Sequence, residues 1–352
     1  MNTEILRLDG SSSDDSKIRA AARAIRDGRL VAFPTETVYG LATNADDPGA
    51  MSRLSQVKRR QPDKPYAMMI PDEGHVDRYV GQVPELAHKL MRMFWPGPLT
   101  VVVRMDNGRT VGLRLPDHPV ARAVVAWAEC PVAAPSANRS GAEAPTTAEG
   151  VLQQLGGEVD IVLDGGPTHQ GQSSSVVLVR DHDVEILRAG PVPEDEILAA
   201  RDFHVLFVCS GNSCRSPMAE ALLKRILSER SGRFPRGRRG RSYRVSSAGT
   251  AVMSEGDVNA LAAQVMAEID VDLTGHRSRP LSMAMISSAD RIYTMTERHQ
   301  ASILEMVPEA RERVERLDPE EDLLDPAGSD IEAYRSCRDR IGALIERIAV
   351  KT

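Results

Sequence analysis

The most constraining feature of the sequence is a segment in its second half, where an apolar strand runs directly into a compact turn and a helix. The predicted strand covers residues 204–208 and is followed by Cys209-Ser-Gly-Asn-Ser-Cys-Arg-Ser-Pro217. Pro217 suits the first position of a helix, and apolar residues recur with helical spacing over 218–227. A strand, a tight turn and a helix in this order predict a doubly wound parallel sheet of the α/β class.

The same turn predicts an anion-binding site. It directs several backbone N–H groups and the N-terminus of a helix toward one small volume. Cys209 is placed where the positive end of the helix and Arg215 both favour its thiolate, which is a nucleophile at neutral pH. The guanidinium of Arg215 can bind two phosphate oxygens at once, which the ammonium of a lysine cannot do. The segment therefore indicates cysteine-dependent phosphate chemistry.

The pattern of the chain changes once, which divides its 352 residues into two predicted domains. The regular strand–helix alternation begins after Arg188-Ala-Gly-Pro-Val-Pro193 and an acidic stretch at 194–196. We therefore expect domains at 1–195 and 203–352. Glycine and proline interrupt the first domain irregularly, which predicts a twisted, mixed α/β fold. Its predicted elements are helices at 16–27 and 85–94 and strands at 30–33, 99–103, 132–134, 161–163 and 176–179.

Composition excludes some classes of protein. A net charge of −6 and an aromatic content of 4% argue against a general nucleic-acid binder with extended base-stacking platforms. No apolar run reaches the roughly 18 residues of a membrane span, and the N-terminus has no signal-peptide pattern. The spacing of Cys130, Cys209, Cys214 and Cys337 fits neither a zinc site nor a disulfide framework. We therefore expect a cytoplasmic protein without a metal site.

Residues 230–244 are rich in arginine, glycine, serine and proline. This composition fits either a small anion- or RNA-contacting patch or a solvated loop between a helix and a strand. The loop is the favoured interpretation because no aromatic residues are interleaved for base stacking.

Polar motifs in the first half follow predicted apolar strands. They are Pro34-Thr-Glu-Thr-Val-Tyr-Gly-Leu41, Lys58-Arg-Arg60, Trp95-Pro-Gly-Pro-Leu-Thr100, Pro135-Ser-Ala-Asn-Arg-Ser-Gly141 and Gly171-Gln-Ser-Ser-Ser175, with Thr110, Arg114 and Arg188. Cations on separate motifs, mixed with hydroxyl groups, predict a concave site for a polyanion. Because the sequence lacks Gly-x4-Gly-Lys-Ser/Thr, any nucleotide must be bound without the common phosphate loop.

The second half resembles low-molecular-weight protein-tyrosine phosphatases and their arginine-phosphatase relatives over about residues 203–350. Besides the cysteine loop, the resemblance rests on Ser246-Ser-Ala-Gly-Thr250, Gly275-His-Arg-Ser-Arg279, Ala289-Asp-Arg-Ile-Tyr-Thr-Met-Thr296 and Asp325-Pro326. It implies a protein phosphatase that needs no cofactor and acts through a cysteinyl-phosphate. Its implied residues are the nucleophile Cys209, the phosphate ligand Arg215, the general acid Asp325, and the loop residues Ser210, Gly211, Asn212, Ser213, Cys214 and Ser216.

Two departures from the phosphatase pattern bear on substrate. Ser213 is small and hydroxylated, and Ala327 stands where phosphotyrosine-specific members have an aromatic residue after Asp-Pro. Both favour phosphoarginine over phosphotyrosine. Cys214 could pair with Cys209 on oxidation or simply pack as a small side chain. The alternatives are an arsenate reductase or an inactive phosphate-binding scaffold; the first would need further cysteines before Cys337, and the second conflicts with the intact catalytic residues.

The first half, over about residues 10–193, resembles the YrdC-like threonylcarbamoyl-adenylate synthases. That resemblance implies condensation of L-threonine, bicarbonate and ATP, with Mg²⁺ bound to ATP, as the first step of a tRNA modification. The implied threonine ligands are Thr35, Arg114 and Ser174, and the implied ATP ligands are Lys58, Arg60, Thr110, Ser136, Asn138, Thr146 and Arg188. Glu36 is expected to support the site. The tRNA threonylcarbamoyl-transfer machinery is an expected partner, a membrane is not, and the alternative is a non-catalytic RNA-binding module.

Overall fold

The computed structural model describes residues 2–10, 14–60, 65–231 and 242–351. The chain forms two compact units, Met1–Ala199 and Ala200–Thr352. Most of the arginine-rich segment, from 232 to 241, lies outside the described residues. Within the described part of the chain, no helix combines the length and apolar character that a bilayer crossing requires.

The first unit is built on one ten-stranded mixed sheet with the order β1-β8-β2-β3-β7-β4-β6-β5-β9-β10. The sheet contains both parallel pairs (such as β1 with β8 and β5 with β9) and antiparallel pairs (such as β2 with β3 and β9 with β10). The strands are β1 (Glu4–Arg7), β2 (Val31–Phe33), β3 (Gly40–Asn44), β4 (Ala67–Met69), β5 (Leu99–Arg104), β6 (Thr110–Arg114), β7 (Val132–Ala133), β8 (Ile161–Asp164), β9 (Ser175–Arg180) and β10 (Asp183–Arg188).

Four helices cover both faces of the half of the sheet that contains β2: α1 (Asp14–Arg26) and α4 (Pro119–Ala128) on one face, α2 (Pro48–Lys58) and α5 (Ala148–Leu155) on the other. In the other half, α3 (Glu85–Phe94) lies against β5 and α6 (Glu194–Ala199) against β10, and a 3₁₀ helix spans Glu73–Arg78. Since side chains alternate along a strand, Val31 and Phe33 of β2 pack with α1 and α4, whereas Ala32 packs with α2 and α5. The predicted mixed α/β fold is confirmed, and the helix at 85–94 has its predicted bounds.

The second unit has a four-stranded, entirely parallel sheet with the order β12-β11-β13-β14. Its strands are β11 (Phe203–Cys209), β12 (Tyr243–Gly249), β13 (Arg291–Thr294) and β14 (Val314–Arg316). Its helices are α7 (Arg215–Ser231), α8 (Ala260–Ala267), α9 (Met283–Ser288), α10 (Glu297–Met306) and α11 (Ile331–Lys351), with a 3₁₀ helix at Pro308–Arg313.

Two hydrophobic cores lie on opposite faces of the parallel sheet. Val205 and Phe207 of β11 pack with α7, α8 and α11 on one face. Leu206 and Val208 pack with α9 and α10 on the other. The predicted doubly wound parallel sheet is therefore confirmed, and the loops that follow its strands meet at one edge, where ligands bind in such folds.

One detail of the prediction was wrong. Helix α7 begins at Arg215, so Pro217 is its third residue instead of its first. The first intrahelical hydrogen bond is donated by the N–H of Met218 to the carbonyl of Cys214 (3.2 Å). Pro217 is tolerated because the first N–H groups of a helix have no intrahelical partner, so the missing donor costs nothing there.

Candidate functional site

The nucleophile predicted in the second unit lies at the carboxyl end of the central strand β11. Cys209 is 2% exposed, and its Sγ accepts a hydrogen bond from the N–H of Asn212 (3.2 Å). The hydroxyl of Ser216 lies 2.9 Å from the sulfur. Because Ser216 Oγ accepts from Asn212 Nδ2 (3.0 Å), its own proton is available to the sulfur. Two hydrogen-bond donors therefore point at the sulfur of Cys209.

Asn212 holds the loop in shape. Its backbone has a left-handed φ of 50°, which costs energy for a residue other than glycine. Its amide Nδ2 also donates to Ser247 Oγ (2.9 Å), and its Oδ1 accepts from the N–H of Arg279 (2.9 Å). Its carbonyl accepts from His276 Nε2 (2.8 Å). The side chain is fully buried, so these contacts compensate the strain and fix the direction of the loop amides.

Gly249, at the end of the neighbouring strand β12, allows the loop to approach closely. A Cβ atom at this position would lie 2.4 Å from the carbonyl oxygen of Ser210 and 3.0 Å from the nitrogen of Asn212. The next residue, Thr250, donates its N–H to the carbonyl of Cys209 (2.9 Å). Position 249 therefore requires glycine because a side chain would displace the anion-binding loop.

Arg215 and Asp325, separated by 110 residues in the sequence, form an ion pair through Nη2 and Oδ2. Nη1 of Arg215 donates to the carbonyl of Leu323 (2.8 Å), which ties the arginine to the segment that contains Asp325. Arg215 is buried, and its Nε has no hydrogen-bond partner among the described residues. A buried guanidinium with a free donor beside a thiol can bind a tetrahedral oxyanion.

The remaining predicted loop residues have varied surroundings. Gly211 is exposed, Ser213 is half-buried, and Ser210 Oγ contacts His299 Nε2 (2.8 Å). Cys214 lies in the core, where its Sγ is 3.7 Å from the hydroxyl of Tyr334. Burial raises the pKa of the Cys214 thiol, which keeps it protonated at neutral pH.

Cys337 of α11, expected in the core, is half-buried against that core. Burial raises the pKa of its thiol to about 12. Sequence reasoning missed four contributors to this site: Ser247, Gly249, His276 and His299. The first three lie in motifs that supported the resemblance, which was the available signal; His299 lies three residues beyond such a motif.

In the first unit, a cavity of about 740 Å³ lies against β4, β6 and the neighbouring strands β5 and β9. All the predicted ligands except Thr35 and Thr146 line it: Lys58, Arg60, Thr110, Arg114, Ser136, Asn138, Ser174 and Arg188. No carboxylate is found among the described residues that line the cavity. A cation-lined cavity of this kind suits a polyanion.

Lys58, the last residue of α2, lies in the cavity wall and is 3% exposed. Its ammonium donates to the carbonyls of Ser136 (2.5 Å) and Asn138 (2.7 Å). Burial, and secondarily the charge of Arg60, lowers the pKa of Lys58 to about 8. The lysine therefore joins two predicted motifs and stays charged at neutral pH.

Three guanidinium groups reinforce one another's positive potential. Burial, followed by the charges of Arg114 and Arg60, lowers the pKa of Arg188. Arg188 donates through Nε to the carbonyl of Ser174 (3.0 Å) and through Nη2 to its hydroxyl (3.1 Å). Arg60 lies over the ring of Tyr66 at 4.7 Å, and its buried Nε finds no partner within the described part of the chain.

Arg114 contacts the only carboxylate that sequence reasoning placed near this site. Its Nη2 donates to Glu36 Oε1 (2.8 Å) and to Thr37 Oγ1 (2.7 Å), and both charged residues are buried. Glu36 thus supports the site by orienting a cavity residue. Arg114 Nε and Glu36 Oε2 are both buried without a hydrogen-bond partner in the described structure.

Thr35 and Thr146 are not brought to the cavity wall. The hydroxyl of Thr35 is engaged in its own turn, where it donates to the carbonyl of Val38 (2.7 Å) and lies 2.8 Å from Thr37 Oγ1. Thr37 in turn contacts Arg114, so Thr35 reaches the cavity only through these side chains. Sequence reasoning named Thr100 only within a motif, yet it lines the cavity and contacts Ser174 (3.0 Å between hydroxyl oxygens).

Comparisons with known proteins give each unit a family. The family model Sua5_yciO_yrdC, described as "Telomere recombination", matches residues 23–190, and the model LMWPc, described as "Low molecular weight phosphotyrosine protein phosphatase", matches residues 204–351. Threonylcarbamoyl-AMP synthase of Bacillus subtilis is 40% identical over 201 residues, which are 54% of this chain and 58% of that protein. The chain thus spans little more than half of that relative's length.

Two further relatives cover the two halves separately. The putative threonylcarbamoyl-AMP synthase of Mycobacterium tuberculosis (strain H37Rv) is 37% identical over 189 residues, which are 51% of this chain and 87% of that protein. The solved structure of YwlE arginine phosphatase from Geobacillus stearothermophilus is 35% identical, covering 42% of this chain and 92% of that one, with a TM-score of 0.37.

Proposed function

We propose that the chain is a bifunctional enzyme, because it belongs to the Sua5_yciO_yrdC family through residues 23–190 and to the low molecular weight phosphatase family through residues 204–351. The first unit would make threonylcarbamoyl-AMP and pyrophosphate from L-threonine, bicarbonate and ATP. The second would remove phosphate from phosphoproteins. The activated threonylcarbamoyl group would pass to the tRNA threonylcarbamoyl-transfer machinery.

The synthase proposal rests on one observation above the others: a cavity lined by Lys58 and four arginines, without a lining carboxylate among the described residues. ATP and bicarbonate are both anions, so they gain from this field. Lys58 and Arg60 would neutralise the triphosphate, and Arg114 and Ser174 would bind threonine. Catalysis would come mainly from holding the reactants together and stabilising charge that develops on phosphorus oxygens.

Mg²⁺ fits this site as part of the nucleotide. The described residues contain no cluster of three or more His, Cys, Asp or Glu able to hold a metal ion. Mg²⁺ in nucleotide sites is commonly bound by substrate phosphates and water with few protein ligands. It would supply charge neutralisation on the triphosphate, while hydroxyls such as Ser136 and Thr110 face the same cavity.

Pyrophosphate release tests the synthase proposal. Release from ATP should require both L-threonine and bicarbonate. Lys58→Ala should abolish it because the ammonium that holds the carbonyls of Ser136 and Asn138 in the cavity wall is removed. Release that is independent of threonine would contradict the proposal, and thermal unfolding of the Lys58→Ala variant shows whether its first unit is still folded.

In the phosphatase, the Cys209 thiolate would attack phosphorus, forming the S–P bond as the bond from phosphorus to the leaving atom breaks. Asp325 would give its proton to that leaving atom. Water would then attack the cysteinyl-phosphate while Asp325 takes up a proton, releasing phosphate and restoring the thiolate. Arg215 and the amides of the loop would hold the three equatorial oxygens throughout.

The observation that supports this proposal most strongly is the buried Arg215, which has an unused Nε and lies between the loop and Asp325. An arriving phosphate would compete with Asp325 for the guanidinium. Breaking the ion pair would free the carboxyl group to reach the leaving atom. The side chain of Asp325 is 45% exposed, which leaves room for this movement.

Phosphoarginine is the substrate that the surroundings favour. Ala327 is exposed beside Asp325 and offers no aromatic wall for a phenyl ring. Ser213 is half-buried in the loop, where its hydroxyl lies 3.6 Å from Cys214 Sγ, and it leaves more space than a bulky aliphatic residue would. A planar guanidinium leaving group would fit this more polar, open mouth.

Hydrolysis of matched phosphoarginine and phosphotyrosine peptides tests the phosphatase proposal, with Cys209→Ser as the blank. Faster Cys209-dependent hydrolysis of phosphoarginine is expected. A preference for phosphotyrosine would show that Ser213 and Ala327 do not set the substrate. If neither peptide is hydrolysed, the phosphatase assignment itself is contradicted.

A further inference from the structure

His299 is a buried histidine beside the phosphatase loop that the mechanism above does not use. It lies in the first turn of α10 and is 3% exposed. Both ring nitrogens contact hydroxyl groups: Nε2 lies 2.8 Å from Ser210 Oγ, and Nδ1 lies 2.9 Å from Thr296 Oγ1. Ser210 directly follows the nucleophile Cys209, so the imidazole contacts the residue next to the one that carries the reacting sulfur.

The imidazole is held as a neutral group. Burial, followed by the charge of Arg215, lowers the pKa of His299 to about 4. A neutral imidazole has one N–H and one acceptor nitrogen, so it donates to one hydroxyl and accepts from the other. Thr296 Oγ1 also accepts the N–H of His299 (3.3 Å) as the N-cap of the helix, which fixes that hydroxyl in place. The ring therefore connects Ser210 to a rigid helix terminus.

That helix terminus also holds the segment that contains the general acid. The N–H of Glu297 donates to Asp322 Oδ1 (2.9 Å), and the N–H of Leu323 donates to the carbonyl of Met295 (2.9 Å). The carbonyl of Leu323 accepts from Arg215 (2.8 Å). Residues 295–299 thus contact the Asp325 segment on one side and, through His299, the loop of Cys209 on the other.

We propose that His299 is a positioning residue of the phosphatase, which fixes Ser210 and so aligns the Cys209 loop with the Asp325 segment. This role rests on the proposed phosphatase function and adds a residue to it. His299 acts through Ser210 and does not itself bind phosphate. Loss of the ring would let the start of the loop shift against the acid, and small misplacements of reacting groups cost up to roughly 100-fold in rate.

A double-mutant cycle with His299→Ala and Ser210→Ala tests the proposal, with hydrolysis of a phosphoarginine peptide, whose leaving group needs a proton, as the assay. Each single change should lower kcat/KM by roughly 10- to 100-fold, mostly through kcat. If His299 acts through Ser210, the double variant should be no slower than the slower single variant. Multiplying effects, or full activity of His299→Ala, would overturn the proposal.

Two further variants separate positioning from loss of fold. His299→Gln keeps an amide nitrogen near the position of Nε2 and should recover most of the activity; no recovery in a folded His299→Gln protein would contradict the role of the contact with Ser210. His204→Ala is the matched control, because His204 is 2% exposed and also contacts two hydroxyls, Ser246 (2.7 Å) and Ser288 (3.2 Å). It should lower the midpoint of thermal unfolding without lowering kcat/KM of the folded protein.

The same assay separates failure of the proposed phosphatase function from failure of the positioning role of His299. If hydrolysis survives Cys209→Ser, the proposed function fails. If hydrolysis depends on Cys209 but not on His299, only the positioning role fails.

Discussion

The two candidate sites differ in how the chain supplies their cations. The phosphatase places nucleophile, amides and Arg215 within seven consecutive residues, at a single turn between β11 and α7. The synthase cavity collects Lys58 and Arg60 from the end of helix α2, Arg114 from strand β6 and Arg188 from strand β10. The proposed reaction on one phosphorus atom needs one tightly shaped cradle, whereas the three proposed substrates of the synthase need a wide surface with charge spread over it. The comparison predicts that exchanging one arginine for lysine is more damaging in the concentrated site.

Exchanging arginine for lysine in each site gives the largest expected contrast. Arg215→Lys keeps the charge but loses the two-pronged phosphate contact, so phosphatase kcat/KM should fall by roughly 10²- to 10³-fold. Arg188→Lys should lower synthase kcat/KM by only about tenfold, since Arg60 and Arg114 maintain the positive field. Steady-state kinetics of both reactions on both variants measures this. Equal losses of kcat/KM in the two sites would contradict the predicted difference between them.

Asp325→Asn probes whether the concentrated site has a separate acid. The amide cannot protonate a leaving group, so hydrolysis of a phosphopeptide should fall by roughly 10²-fold or more. The loss should be much smaller for p-nitrophenyl phosphate, whose leaving group departs without a proton. If both substrates lose the same factor, Asp325 acts through its ion pair with Arg215 and not as the acid.

The two sites should also differ in their response to alkaline pH. Lys58 loses its charge as pH rises through about 8, so the synthase rate should decline there. Between about 8 and the ordinary lysine value of 10.5, the unfolded chain binds more protons at Lys58, so the Lys58 contribution to the free energy of unfolding rises with pH. The titration of Lys58 therefore stabilises the fold in this pH range, so loss of folded protein through Lys58 does not explain a falling synthase rate.

Lys58→Arg is the control for this pH dependence. Arginine stays charged throughout, so the variant should be slower at neutral pH but should lack the decline near pH 8. An unchanged decline in Lys58→Arg would assign it to another group.

The smallest expected effect concerns the mouth of the phosphatase. Ala327→Tyr places a ring beside Asp325, and ring–ring contacts contribute about 0.5–1.5 kcal/mol, so kcat/KM for a phosphotyrosine peptide should rise by roughly 2- to 10-fold. Ala327→Leu adds apolar area without a ring and should raise it less. No difference between the two variants would mean that position 327 does not contact the substrate ring.

Sequence reasoning worked best where local patterns are strong. The amphipathic helix at 85–94 and the buried strand β11 have long, regular apolar patterns that leave few alternatives. It missed the short strand β4, because a piece of three residues shows no periodicity of its own. Pairing with β6 and β7 decides its conformation, and β4 lines the synthase cavity.

The candidate sites show the same difference between residues close in the sequence and residues brought together by packing. Cys209, Arg215 and the loop between them could be predicted because the constellation is contiguous. By contrast, Glu36 orients Arg114 across 78 residues, and His299 reaches Ser210 across 89. No spacing rule connects such pairs, so only the packing of the sheets brings them together.

By itself, the sequence determined the two fold classes and the families that the motifs resemble, and it predicted the chemistry at Cys209, because these depend on residue types within a few positions of one another. Tertiary structure alone decided which cations share the synthase cavity, that Thr35 and Thr146 lie outside its wall, that Arg215 pairs with Asp325, and that position 249 must be glycine. The physical reason is distance: these relations join segments that are far apart in the chain and become neighbours only when the strands pair and the loops pack.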